Sequence, residues 1–225
     1  MRFGLLGDVH AEDVLLERAL RRFEEERVDL VLHVGDVVDG RGDVERCIEL
    51  LSAASAIGVR GNHERWLLEG RMRDLPDAHR LEALSPRVRE EIAAWPATRT
   101  LDTPLGPLLL CHGIGEDDMA RLRPHDEGYA VATNDALLAR VGAGTHAILV
   151  GGHTHERMVR RFEDLTIVNA GTLARSGPPT ASVLDCAARE VRVFDPSRPD
   201  VGPLAQVRLP ERGESLALGL GRMLR

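Results

Sequence analysis

The sequence contains no lysine: all 29 of its basic residues are arginine. That excludes Schiff-base chemistry on a lysine and the phosphate-binding lysine of a P-loop. Aromatic residues make up only 3 %. Phe3, Phe23, Trp66, Trp95, Tyr129, Phe162 and Phe194 are too scattered to form a base-stacking platform. With a net charge of −7, no nucleic-acid binding surface is expected. The three cysteines, Cys47, Cys111 and Cys186, form no CxxC pair, so reduced thiols and a cytoplasmic location are the expectation. No apolar run approaches the roughly 20 residues that a bilayer-spanning helix needs. The N-terminus reaches Asp8 without the apolar region of a signal peptide. No membrane association is therefore expected, and the apolar stretch at 215–224 is expected to pack on the body or on a second copy in a homo-oligomer.

Nine histidines in 225 residues are abundant by comparison. Length and composition suit one domain spanning residues 1–225, able to bury roughly 70–75 % of its unfolded surface. RFGLLG (2–7), DLVLHVGD (29–36) and AIGVRGN (56–62) predict short buried strands. Helices are predicted between them at 11–26 and 43–54. Further helices are predicted from His63 and over 85–95, where Ser85 is the N-cap and Pro86 the first position. Residues 98–103 and 107–112 suggest a hairpin around Pro104–Gly106. A helix is predicted near 134–141, a buried strand at 145–152, and a meander of short strands thereafter. The first half therefore implies a parallel sheet, and the whole an α/β fold of two packed sheets flanked by helices.

The chemistry sits at the strand ends. Five apolar runs stop at polar residues that can bind a metal: Asp8 and His10; Asp36, with Asp39 after it; Asn62-His63-Glu64; His112; and His153 with His155. Strand ends in an open α/β sheet converge on one crevice, so these residues can meet although they are far apart in sequence. Each element has a simpler alternative. An Asp-x-His can be loop polarity, Asn-His-Glu can cap a helix, and a lone Gly-His-x-His is ambiguous. Their conjunction argues for one site.

The series GDVH (7–10), GDVVDG (35–40), RGNHE (60–64), CHG (111–113), GHTH (152–155) and NAGT (169–172) resembles the calcineurin-like metallophosphoesterase superfamily, especially its small bacterial phosphodiesterase-type members. The resemblance implies a four-layer α-β-β-α sandwich of two mixed sheets. It implies two divalent cations, first Mn²⁺ with Fe, Zn or Ni as alternatives. One would be held by Asp8, His10, Asp36 and His155, and the other by Asp36, Asn62, His112 and His153. A hydroxide between them would attack phosphorus in line. His63 would be the general acid, oriented by Asp39 or, as the alternative, Glu64. A phosphodiesterase is the first expectation. A monoesterase acting on proteins or nucleotides is the second, and a non-catalytic protein-binding scaffold on the same fold the third.

Two arginines are candidate phosphate clamps. Arg60 precedes Gly61-Asn62-His63 as in the superfamily's phosphoprotein phosphatases. Arg41 stands one place beyond their Asp-Arg-Gly arginine, because Gly40 occupies that position; a surface ion pair is its alternative. Ala11 replaces a glycine often found after the first Asp-x-His. Residues 114–131 either wall the substrate pocket or form a charged surface loop. His33 is expected in the core, His79 and His125 in solvent, and His146 in a structural place.

Overall fold

Runs of four or five apolar residues can be strands buried on both faces, and this chain uses them so. The computed structural model describes residues 1–175 and 177–210; the apolar stretch at 215–224 lies outside the described residues. The first half reads β1 (Arg2–Leu6), α1 (Asp13–Glu25), β2 (Leu30–His33), α2 (Val44–Ala53), β3 (Ile57–Gly58), α3 (Asn62–Glu69) and α4 (Pro86–Ala94). β1, β2 and β3 are parallel, as the β-α-β-α-β pattern predicts, with Phe3 opposite Leu30 and Leu32 opposite Ile57. Asp43 and Ser85 cap α2 and α4 by accepting from the N–H groups of Arg46 and Val88.

The second half contains β4 (Thr98–Leu101), β5 (Leu108–Cys111), α5 (Tyr129–Ala132), α6 (Asp135–Ala143), β6 (Ile148–Gly151), β7 (Met158–Phe162) and β8 (Leu165–Asn169). β9 (Ala181–Asp185), β10 (Glu190–Phe194) and β11 (Ala205–Arg208) follow. The β4–β5 hairpin is as expected. The simple meander is not: β5, β6 and β8 are parallel, with β7 antiparallel at the edge. The chain crosses from β5 to β6 through α5 and α6. Leu108–Cys111 and Ile148–Gly151 are buried at every position, the mark of strands covered on both faces, which periodicity alone does not distinguish from a meander.

Two mixed sheets result, ordered β11-β10-β9-β1-β2-β3 and β4-β5-β6-β8-β7. Alternate side chains of the same strands serve different layers. Phe3, Leu5, Leu32, Leu108, Leu110, Ile148 and Val150 pack in the core between the sheets. Leu6 and Val183 turn the other way, toward Leu16, Phe23, Ile48 and Ile92 of α1, α2 and α4. Leu109, Leu149 and Ile167 pack outward beneath Leu137 of α6. The fold is thus the four-layer sandwich, and the carboxyl ends of β1, β2, β5 and β6 open toward one crevice.

Candidate metal centre

Each candidate ligand follows directly on a strand or opens a helix. Asp8 and His10 follow β1, Asp36 follows β2, Asn62 opens α3, His112 follows β5, and His153 and His155 follow β6. Asp8, His10, Asp36 and His155 each bring a ligand atom within 4.8 Å of the others, and so do Asp36, His112 and His153. Asp36 belongs to both groups. Asn62 Oδ1 lies 2.9 Å from His112 Nε2 and 2.9 Å from His153 Nδ1. His10, Asp36, Asp39, His153 and His155 all have left-handed backbone, with φ between 47° and 67°. Such strain in non-glycine residues persists only where the surroundings impose it.

The loops are fastened from behind. Glu64 is fully buried, and its carboxylate accepts from the N–H groups of Asp36, Val37, Val38 and Gly61 at 2.6–3.1 Å. It is therefore a backbone anchor and not the partner of His63. A Cβ on Gly61 would collide with Asp36 Oδ1 and lie 2.8 Å from the His112 ring, so the close approach of these two loops requires glycine here. Asn169 donates to Gly152 O and accepts from Gly171 N–H, tying the NAGT turn to the loop carrying His153.

The donor set fits divalent cations. His10 Nδ1 lies 2.8 Å from Asp39 O and His112 Nδ1 lies 2.8 Å from Val34 O. Donation from Nδ1 to those carbonyls leaves each Nε2 facing the cluster, where it can bind a cation once it carries no proton. His10 Nε2 then meets His155 Nε2 at 3.1 Å, a spacing that a cation satisfies. Burial pushes the Asp8 carboxyl up to about 7. Burial would also raise Asp36, but His112, His63 and His10 outweigh it and hold Asp36 well below the carboxylate range. Burial lowers the His112 pKa, yet Asp36 and Asp8 prevail and push it up to about 10. Buried carboxylates that draw an imidazole toward its protonated form are ready for a metal ion to take the proton's place.

A family model described as the calcineurin-like phosphoesterase superfamily domain matches residues 1–189. The chain belongs to that superfamily. It is thereby one of the metal-dependent phosphoric ester hydrolases. It is 24 % identical over 196 residues to a phosphodiesterase of Methanocaldococcus jannaschii, covering 85 % of this chain and 97 % of that one. A serine/threonine-protein phosphatase 1 of Salmonella typhimurium is 38 % identical over 69 residues, 30 % of this chain and 32 % of its own. The solved structure of the E. coli phosphoesterase YfcE matches the fold with a TM-score of 0.58 at 20 % identity, over 93 % of this chain and all of that one.

Beside the candidate ligands, His63 Nδ1 lies 2.8 Å from Asp39 Oδ2, with its Nε2 toward Asp36 Oδ2 at 3.9 Å. Burial lowers the His63 pKa, but the bond to Asp39 and the charge of Asp36 outweigh it, leaving the pKa raised. Arg60 is half-buried, and its guanidinium forms no ion pair among the described residues. Arg41 is 85 % exposed and pairs with Asp77 at 3.0 Å, the surface ion pair that was its alternative. His79 departs from expectation. It is not solvated: its Nδ1 accepts from Asp39 N–H at 2.9 Å. His33 is buried against Trp95, and burial pushes its pKa down to about 3. His125 is exposed. His146 is half-buried, and its Nε2 lies 3.1 Å from Thr100 Oγ1.

Sequence reasoning missed Arg73, whose guanidinium forks onto Asp39, and the anchoring task of Glu64. For Glu64 a signal existed, since a Glu three residues after Gly61 suits a helix start. For Arg73 there was none. Among the described residues no helix is long and apolar enough to cross a membrane, and all three cysteines are free and buried.

Proposed function

We propose that this chain is a phosphodiesterase that works with two divalent cations, Mn²⁺ foremost. The observation that carries this is the pair of donor groups joined through the buried carboxylate of Asp36. Asp8, His10, Asp36 and His155 would hold one ion, and Asp36, Asn62, His112 and His153 the other. Bound there, the pair would supply an activated water for in-line attack and screen the charge gathering on the phosphoryl oxygens. The protein's own groups do the rest. His63 carries its transferable proton on Nε2, while Nδ1 donates to Asp39, and it gives that proton to the departing oxygen. Arg60, free of any ion partner among the described residues, would hold a phosphate oxygen.

Residues 114–131 would form one wall of the pocket. Three contacts support this: Arg65 forks onto Asp118 at 2.6 and 2.9 Å, Thr98 donates to Glu116, and Arg121 Nε lies 3.4 Å from His153 Nε2. The test is hydrolysis of bis- and mono-p-nitrophenyl phosphate with added Mn²⁺ by wild type, Asp36→Asn and His63→Ala. Removing an outer-sphere partner of a metal ligand costs about 10–100-fold, so losing the shared carboxylate is expected to cost about 1,000-fold. Equal activity of Asp36→Asn and wild type would sink the proposal. A clear preference for the monoester would transfer it to the phosphatase reading, which the similarity to the Salmonella enzyme favours. Inactivity of metal-loaded wild type on both esters would favour the scaffold.

A further inference from the structure

Asp39 is held far more firmly than one hydrogen bond to a histidine would require. Arg73 approaches it as a fork, Nη1 donating to Oδ1 at 2.9 Å and Nη2 to Oδ2 at 2.8 Å. The N–H of His79 donates to Oδ1 at 2.8 Å, and the N–H of Asp39 itself donates to His79 Nδ1 at 2.9 Å. Arg73 is engaged on its other side as well. Its Nε donates to Arg71 O and its Nη1 to His79 O, both at 2.7 Å. The side chains are 11 % and 3 % exposed for Arg73 and Asp39. Little of the guanidinium is left to meet a substrate.

We propose that Arg73 is a positioning residue for phosphoester hydrolysis. Gripping both carboxylate oxygens fixes the plane of Asp39, and Asp39 in turn fixes the ring and tautomer of His63. This rests on the role given above to His63. Without the fork each oxygen would keep one partner, the His79 N–H on Oδ1 and His63 on Oδ2, which leaves the carboxylate more freedom about its last bond and the imidazole with it. A planar fork removes that freedom; the single ammonium of a lysine does not. Arg73 therefore acts on the departure of the leaving group without touching the substrate. It comes from residues 70–84, a segment whose regular structure is limited to one turn at Leu81–Ala83.

The test compares wild type, His63→Ala, Arg73→Ala and Arg73→Lys on methyl aryl phosphodiesters whose phenols range from p-nitrophenol to phenol. Misplaced proton delivery matters most for the poorest leaving group. For Arg73→Ala, kcat is expected to fall about 5-fold with p-nitrophenol and about 100-fold with phenol, with KM unchanged within about 2-fold. Guanidinium in the buffer should restore part of the loss in Arg73→Ala, and Arg73→Lys should fall between wild type and Arg73→Ala. In the His63→Ala background the same change should cost less than about 2-fold.

Equal loss on every leaving group, a raised KM with kcat kept, or full additivity with His63→Ala would overturn the inference. If Arg73→Ala does not fold, Arg73→Lys decides by the same slope, backed by the ¹⁵N shifts of the His63 ring, which report its tautomer. A His63→Ala enzyme with the wild-type leaving-group slope would remove the acid role itself. A steep His63→Ala slope beside a wild-type slope in both Arg73 variants would remove only the role of Arg73.

Discussion

His112 and His153 stand on the loops after β5 and β6, with ring centroids 5.3 Å apart, yet the site treats them in opposite ways. His112 is wholly enclosed, with Asp36 Oδ2 at 3.2 Å, and its pKa is pushed up to about 10. His153 is only partly buried. Burial, with help from the neighbouring His112, pushes its pKa down to about 4. His155 is 35 % exposed at the side chain and shifts the same way, to about 4. The floor of the site, made of Asp8, His10, Asp36, Asn62 and His112, is enclosed and charged. Its mouth, made of His153 and His155, is neutral and open. Identical side chains a few ångströms apart thus differ because the carboxylates outweigh burial at His112, whereas at His153 and His155 burial and the neighbouring imidazoles outweigh the carboxylate. Under the function proposed above, floor and mouth together would hold the ions, and the more open side at His153 and His155 would leave room for a substrate to reach them.

If the floor owes its rigidity to Glu64, removing that carboxylate should do the most damage. Glu64→Ala orphans four buried N–H groups, and about 3 kcal/mol or more of stability should be lost. For a chain of this size that lowers Tm by roughly 10 °C. Thermal unfolding of the two proteins measures it. A loss under about 1 kcal/mol would mean that the floor is held by other contacts.

The second prediction concerns protons. His112 has a folded pKa above its unfolded value of about 6.5, so its contribution to stability is present below pH 6.5 and fades as pH rises through about 10. His153 and His155 are shifted down, so their contribution is complete above pH 6.5 and is lost only toward pH 4. Between pH 7 and 8.5 the metal-free protein should therefore weaken as pH rises. Metal binding replaces the His112 proton, so the gain in Tm on adding Mn²⁺ should be larger at pH 8.5 than at pH 7. Taking the gain cancels the buried thiols, whose raised pKa values act alike in both forms. A gain that shrinks with pH would contradict the contrast between His112 and the mouth histidines.

The smallest effect should come from Arg41→Ala. A pair as exposed as Arg41–Asp77 contributes little, so stability should change by less than about 0.5 kcal/mol and kcat/KM by less than about 2-fold. A tenfold rise in KM would restore Arg41 to the substrate and extend the mouth beyond His153 and His155.

Residue type and run length were enough to place the candidate ligands. A short apolar run buried on both faces has to end where the layer ends, and Asp8, Asp36, His112 and His153 stand at those ends. The central parallel strands of the first sheet and the β4–β5 hairpin were readable for the same reason. Pattern did not tell which strands of the second half run parallel, because a short run buried on both faces reads alike in either direction; nor did it tell that β9 returns beside β1, a pairing of residues nearly 180 positions apart. Nor did it separate Arg73 from Arg41. Both are arginines in polar segments near the same motif, and one closes a buried fork on Asp39 while the other meets Asp77 at the surface. A ligand at a strand end inherits its place from the strand. A partner reaching in from a loop has no such address until the chain has folded around it.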